Sequence, residues 1–225
     1  WNSEMNLWEW WYWASGPEGS PCLYVTSEDG EHWESPSVGV HEWQGSRDNN
    51  IAHPPGGEAL YHVIRDEREE NPDRRYKALF SGGPRQPAVS PDSFNWTMLD
   101  VPPIPSQDTS HFTYDETTGQ YLATVKQGTR WGRSVWLSTC AEFGQFSKPE
   151  LILTTDEIDW ENCRRRVREI IENPAYITPE VIDDQDYIAE LYMMPIMPYE
   201  GIYVGFPLIF NPFGACPPPG TNYTR

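Results

Sequence analysis

Long apolar runs are missing from this sequence. None approaches the length of about 18 residues that a membrane-crossing helix needs, so no helical span is expected. Cysteine is scarce: Cys22, Cys140, Cys163 and Cys216 lie far apart and form no C-x-x-C pair, which argues against a zinc site and indicates no disulfide framework. Glycine-rich phosphate loops, Ser-His-Asp arrangements and metal-ligand motifs are also wanting, so no cofactor is expected and a structural calcium ion is not indicated. Positive charge is in short supply, with 16 Lys and Arg against 34 Asp and Glu, a net charge of −18. A surface of that sign repels a polyanion, so nucleic acid is not an expected partner. No secretory leader is recognisable, and the chain opens at Trp1 inside a tryptophan-rich run, which reads as a cropped chain. The sequence does not fix the compartment, with a secreted or periplasmic place favoured over a cytoplasmic one. The sequons at Asn95 and Asn222 matter only in a source that glycosylates secreted proteins.

Aromatic residues, by contrast, are abundant: 14% of the chain, including 11 Trp and 12 Tyr. Such side chains fill the space between packed sheets and also form flat platforms for sugar rings. With 22 Pro and 17 Gly the chain has many turns and short elements, as all-β proteins do. A two-part unit recurs. Its first part is an aromatic strand, at Trp10–Ala14, Arg75–Phe80, Gln120–Val125 and Ile202–Phe206. Its second part is a strand entering a polar turn that carries an aromatic, at Tyr24–Trp33, Ala88–Trp96 and, more weakly, Trp136–Phe146. The serines of the three turns, Ser27, Ser90 and Ser138, are 63 and 48 residues apart. A period of roughly 40–50 residues fits one four-stranded propeller blade with loop insertions.

A further strand precedes the aromatic one in three units. Ser110–Tyr114 turns through Asp115–Gly119 into Tyr121, Tyr192–Met197 turns at Tyr199-Glu200-Gly201 into Tyr203, and Leu60–Ile64 leads through a charged loop to Tyr76. The N-terminal unit lacks this innermost strand. The expected architecture is therefore an all-β propeller of five blades, about four of them visible across residues 1–225 as one domain. One helix interrupts it, around 157–172: Thr154 and Glu157 have capping-box spacing, Trp160, Cys163, Val167, Ile170 and Ile171 recur at helical spacing, and Asn173-Pro174 ends the run. Glu161–Arg165 and Arg168–Glu172 are candidate ion pairs, and Arg164-Arg165-Arg166 with Arg168 reads as a solvated face. The same helix offers a route to a homo-oligomer.

The run Val25-Thr26-Ser27-Glu28-Asp29-Gly30-Glu31-His32-Trp33-Glu34-Ser35-Pro36, followed by Gly45-Ser46-Arg47-Asp48-Asn49-Asn50-Ile51, together with Arg75-Tyr76-Lys77-Ala78 and Ser106-Gln107-Asp108, resembles the five-bladed propellers of glycoside hydrolase families 32, 43 and 68. It is most similar to the family 32 N-terminal-domain-like proteins of environmental bacteria, over nearly all of its length. A sialidase ranks well below, because the box Ser27–Trp33 is one residue shorter than theirs and no arginine triad can be assigned. What the resemblance implies is cleavage of glycosidic bonds in a poly- or oligosaccharide by facing carboxyl groups. It puts Asp108 in the place of the carboxylate that supports the transition state, Glu190 in that of the general acid, and the first-blade carboxylate ahead of Trp1. Beside apolar neighbours, Glu190 would be well placed to hold a proton. The plainer readings are a turn aspartate at 108 and a solvent-facing edge residue at 190, next to the acidic loop of Asp183, Asp184 and Asp186.

Substrate-binding candidates are Asp48, Asn49 and Asn50, which precede what reads as the second innermost strand, and His111, Arg133, Trp43 and Trp131. The Asx side chains suit sugar hydroxyls or an Asx-turn equally. Arg133 could pair with Asp108 or with a substrate carboxylate, and the two tryptophans stand in loops where a sugar could stack. A propeller that binds sugar or protein without catalysis is the alternative, since one fold hosts many functions.

Overall fold

In the computed structural model, residues 1–17, 19–56, 58–175 and 188–210 are described. They form antiparallel sheets in chain order and one α-helix, and among the described residues no sheet closes into a barrel. The first sheet holds β1 (Trp8–Trp13), β2 (Cys22–Ser27) and β3 (Ile51–His53). The second is a four-stranded meander of β4 (Leu60–Arg65), β5 (Tyr76–Phe80), β6 (Gln86–Ser90) and β7 (Thr97–Met98). The third repeats that order with β8 (Ser110–Asp115), β9 (Gln120–Thr129), β10 (Gly132–Cys140) and β11 (Glu150–Leu153).

After the helix α1 (Glu157–Glu172), one long hairpin follows. Its outgoing arm is β12 (Glu190–Met193) and β13 (Ile196–Tyr199), and its return arm is β14 (Ile202–Gly205) and β15 (Leu208–Phe210). β13 pairs with β14 and β12 with β15. The ladder breaks at Pro195 and Pro207, which have no N–H to give, and a single bond from Phe206 N to Pro195 O (2.9 Å) bridges the gap.

The repeated turn is built twice from the same bonds. Ser27 Oγ accepts from Gly30 N at 2.8 Å, and Asp29 Oδ1 accepts from the amides of Glu31 and His32. Ser90 Oγ accepts from Ser93 N at 2.9 Å, and Asp92 Oδ1 accepts from the amides of Phe94 and Asn95. The residue after each aspartate has a positive φ, +78° at Gly30 and +68° at Ser93. The third copy departs from this: no aspartate follows Ser138, whose hydroxyl donates to the Ser147 carbonyl instead. Aligning the three serines matches β2 with β6 and β10, and β1 with β5 and β9. In that alignment β1 corresponds to the second strands of the later sheets, and among the described residues it pairs with β2 alone.

The first strands of the later sheets lie side by side and run the same way. His62 Nε2 on β4 meets Ser110 Oγ on β8 at 2.9 Å, and beyond the other ends of these strands Arg68 donates to the Glu116 carbonyl at 2.6 Å. β8 in turn meets the last hairpin, through Thr109 Oγ1 to Tyr192 O (2.7 Å) and Ile196 N to His111 Nδ1 (3.4 Å). The core sits between successive sheets. Cys22, Leu60, Ala78, Phe80 and Ala88 fill the space between the first and second, while Leu79, Val89, Phe112, Tyr121 and Val125 fill that between the second and third. Burying a side chain such as Leu79 or Phe80, both fully enclosed, contributes about 1.5–3 kcal/mol. Charge is buried at the second of these seams: Lys77 Nζ is held by Asp66 (3.1 Å), Glu69 (2.9 Å) and the Arg74 carbonyl (2.8 Å), and Tyr121 donates to Asp66.

Two expectations about the helix need correction. The helix cap is Asp156, whose carboxylate accepts from Ile158 N and Asp159 N while Asp159 reaches back to Asp156 N; Thr154 does not cap. Arg165 and Arg166 both turn to Glu169 (4.0 and 3.2 Å), so Arg165 is not the partner of Glu161. Cys163 and Val167 of the helix cover Ala189 of the same chain, with Trp160 and Ile171 beside them. The acidic loop of Asp183, Asp184 and Asp186, and likewise Cys216 and the sequon at Asn222, lie outside the described residues.

Candidate functional site

Asp108 and Glu190 stand at the same ends of neighbouring strands, just ahead of β8 and at the first residue of β12. Tyr192 joins them. It lies two residues beyond Glu190, on the same face of β12, and its hydroxyl donates to Asp108 Oδ2 at 3.2 Å. Asp108 is also ion-paired to Lys126 of β9, whose ammonium sits 4.0 Å from the centre of the Tyr192 ring. Burial works against ionisation of Asp108, but the hydrogen bond and charge of Lys126 outweigh it and hold the carboxyl below its usual range.

Glu190 is buried, and its neighbours are not the apolar side chains that were expected. Oε1 accepts from Arg133 N at 3.0 Å, and Oε2 is ion-paired to the Arg133 guanidinium. Gly132 makes room for this pair. Its φ is +90°, and a Cβ there would lie 2.3 Å from Glu190 Oε1. The hairpin tip thus needs glycine both for its turn and for the approach of the carboxylate. Arg133 partners Glu190 and Lys126 partners Asp108; the expected pairing of Arg133 with Asp108 does not occur.

The remaining candidates divide. His111 lies in the seam between β4 and β8, its ring 6.1 Å from that of His62. Trp131 is at the tip of the β9–β10 hairpin beside Gly132, edge to face with Trp160 of α1 at 5.3 Å. Asp48, Asn49, Asn50 and Trp43 belong elsewhere. The residues after Asn50 form β3, the third strand of the first sheet, and do not lead into β4 as an innermost strand. Asn49 Nδ2 donates to the His41 and Ser46 carbonyls, Asn50 Nδ2 donates to the Tyr24 carbonyl, and Asp48 is exposed. Asn49 makes an Asx-turn, its Oδ1 accepting from Ile51 N at 3.1 Å. Trp43 lines a separate cavity of about 350 Å³ with Ala14, Pro17, Pro21 and Gln44.

Several site residues carried no signal that the sequence reading used. Lys126 ends an apolar run and looks like an ordinary strand terminus, yet it is the cation on Asp108. Arg85 is fully buried, donates to Ser110 Oγ at 2.6 Å and stacks 3.9 Å over the Tyr61 ring, behind Asp108. At the opposite ends of the strands, Glu9 accepts from the hydroxyls of Tyr24 (2.7 Å) and Tyr76 (3.2 Å). It faces a cleft of about 580 Å³ that Arg65, Arg75 and Phe94 also line. Burial and the Glu9 carboxylate both raise the pKa of these two tyrosines.

The sequence matches no protein-family model and no curated protein. The functional reading rests on this chain's own residues and on the resemblance in its motifs.

Proposed function

We propose that the chain is a β-propeller of the glycoside hydrolase 32, 43 and 68 kind, and that it cleaves glycosidic bonds of a poly- or oligosaccharide at the end of the strands where Asp108 and Glu190 stand. The observation that carries this reading is the pairing through Tyr192. Asp108, 82 positions before Glu190 in sequence, takes a hydrogen bond from Tyr192, which stands two residues beyond Glu190 on the same face of β12, while each carboxylate keeps its own cation, Lys126 for Asp108 and Arg133 for Glu190. Successive antiparallel meanders with same-direction first strands are also what a radial array of blades requires.

In this reading Glu190 protonates the leaving oxygen, and Asp108, kept anionic by Lys126, stabilises positive charge developing at the sugar ring. Arg133 covers the Glu190 carboxylate. Its side chain is 37% exposed, and substrate must draw it away before the Glu190 carboxyl can reach a leaving oxygen. The substitution Glu190→Gln tests the assignment, with turnover of an activated aryl glycoside expected to fall by about 10²–10⁴-fold, the usual worth of a general acid. Unchanged turnover removes Glu190 from the role.

A second reading has its own support: both carboxylates are neutralised by cations, an arrangement suited to binding sugar hydroxyls without chemistry. A glycan array read together with product release separates the two, because retention without hydrolysis favours a binding propeller.

A further inference from the structure

The chain holds 34 acidic residues, yet none falls between Glu116 and Glu142. That acid-free stretch is the β9–β10 hairpin with its flanks, and it carries Lys126, Arg130 and Arg133. Two of these cations are already engaged, Lys126 with Asp108 and Arg133 with Glu190. Arg130 is different. It is exposed at the hairpin tip, its guanidinium lies 4.6 Å from the centre of the Trp131 ring, and no described carboxylate forms an ion pair with it. Stacking on an indole fixes the plane of a guanidinium while leaving its in-plane N–H donors open, the form that meets a carboxylate in two parallel bonds. Trp131 is itself braced by Trp160, and its carbonyl accepts from Thr155 Oγ1 at 3.3 Å, so the platform is fixed. Two residues along the chain, Gly132 packs on Glu190.

From this arrangement we infer that the site takes an acidic saccharide, with Arg130 on Trp131 receiving the carboxylate of a uronic acid unit next to the one bound at Glu190. The inference rests on the carbohydrate reading above and deepens it by naming the substrate class. A net charge of −18 repels anions from most of the surface, so an anion is admitted where a cation is not already matched by an acid, and in this hairpin that cation is Arg130. A planar carboxylate suits the stacked fork better than a tetrahedral sulfate ester does.

The test is calorimetric titration with short oligomers of galacturonate, glucuronate and mannuronate, each beside its uncharged hexose counterpart, and with a sulfated galactan oligosaccharide. The inference expects at least one uronate oligomer to bind about tenfold or more tightly than its neutral counterpart. It also expects Arg130→Gln to abolish that preference, and Lys148→Gln, which removes an exposed cation outside the hairpin, to keep it. Equal affinity for acidic and neutral oligomers, or a preference that survives Arg130→Gln, overturns the inference and leaves the carbohydrate reading standing. Preference for the sulfated oligosaccharide alone overturns the choice of carboxylate. Binding of none of them removes the carbohydrate reading and the inference together.

Discussion

At the scale of single residues, the two copies of the serine–aspartate turn allow a controlled comparison. Gly30 and Ser93 hold the same place in the same bond pattern, and both have positive φ. For glycine that conformation is free of strain, whereas for a residue with a Cβ it costs about 1–2 kcal/mol. Ser93 is also fully buried with no partner for its hydroxyl. Ser93→Gly removes the strain and the orphan group, against a penalty of about 0.5–1 kcal/mol for the freer unfolded chain. The expected outcome is a gain near 1 kcal/mol, seen as a rise of about 2–4 °C in Tm by calorimetry. The turn itself was legible in the sequence, because serine, aspartate and glycine bond to nearby backbone in ways that spacing alone reveals. The cations on Asp108 and Glu190 were not, because Lys126 and Arg133 reach them across strands that no local pattern connects.

At the scale of elements, the helix shows how a correct placement can rest on the wrong cap. Its range was readable from the apolar spacing of Cys163, Val167 and Ile171, but Thr154 and Glu157 fit a capping-box spacing as well as Asp156 and Asp159 do. What decides is backbone direction: Asp156 is extended and aims its carboxylate at the first free amides, and Thr154 lies two residues too early. Asp156→Ala should cost about 1 kcal/mol in urea unfolding, while Thr154→Ala should leave the helix contribution unchanged. The small β3 was not foreseen for a related reason. Ile51–His53 is too short to announce itself, and its pairing with β2 follows only from the long loop that returns it there.

At the scale of the whole molecule, stability depends on seams between sheets, and one of them is sensitive to acid. Burial, with His111 and Arg85 nearby, pushes the pKa of His62 down to about 3 from 6.5. His111 is lowered too, by burial. Because the unfolded chain binds these protons more readily than the folded one, the contribution is complete above about pH 6.5 and is lost progressively as the pH falls toward 3. The slope is at most about 1.4 kcal/mol per pH unit for each histidine. Denaturant titrations between pH 7 and pH 4 should show this decline, and His62→Gln should make it shallower; an identical slope in the variant would refute the assignment. The hairpins β4–β5–β6 and β8–β9–β10 were legible, since hairpins and turns are local. The meeting of His62, Ser110 and Arg85 was not, because it joins three strands through contacts that span sheets.

The unpartnered side of β1 has a consequence for how the molecule behaves among its own kind. A strand edge offers open amides and carbonyls to any neighbour, and sheet proteins usually blunt such a rim with lysine, proline or a bulge. Here the rim is Trp-Glu-Trp-Trp-Tyr-Trp, with Glu9 as its only charge and that carboxylate drawn inward by two tyrosines. Among the described residues no other strand covers this rim, and what keeps copies of these residues apart is the long-range repulsion of a strongly anionic surface, which weakens as dissolved salt shortens its reach.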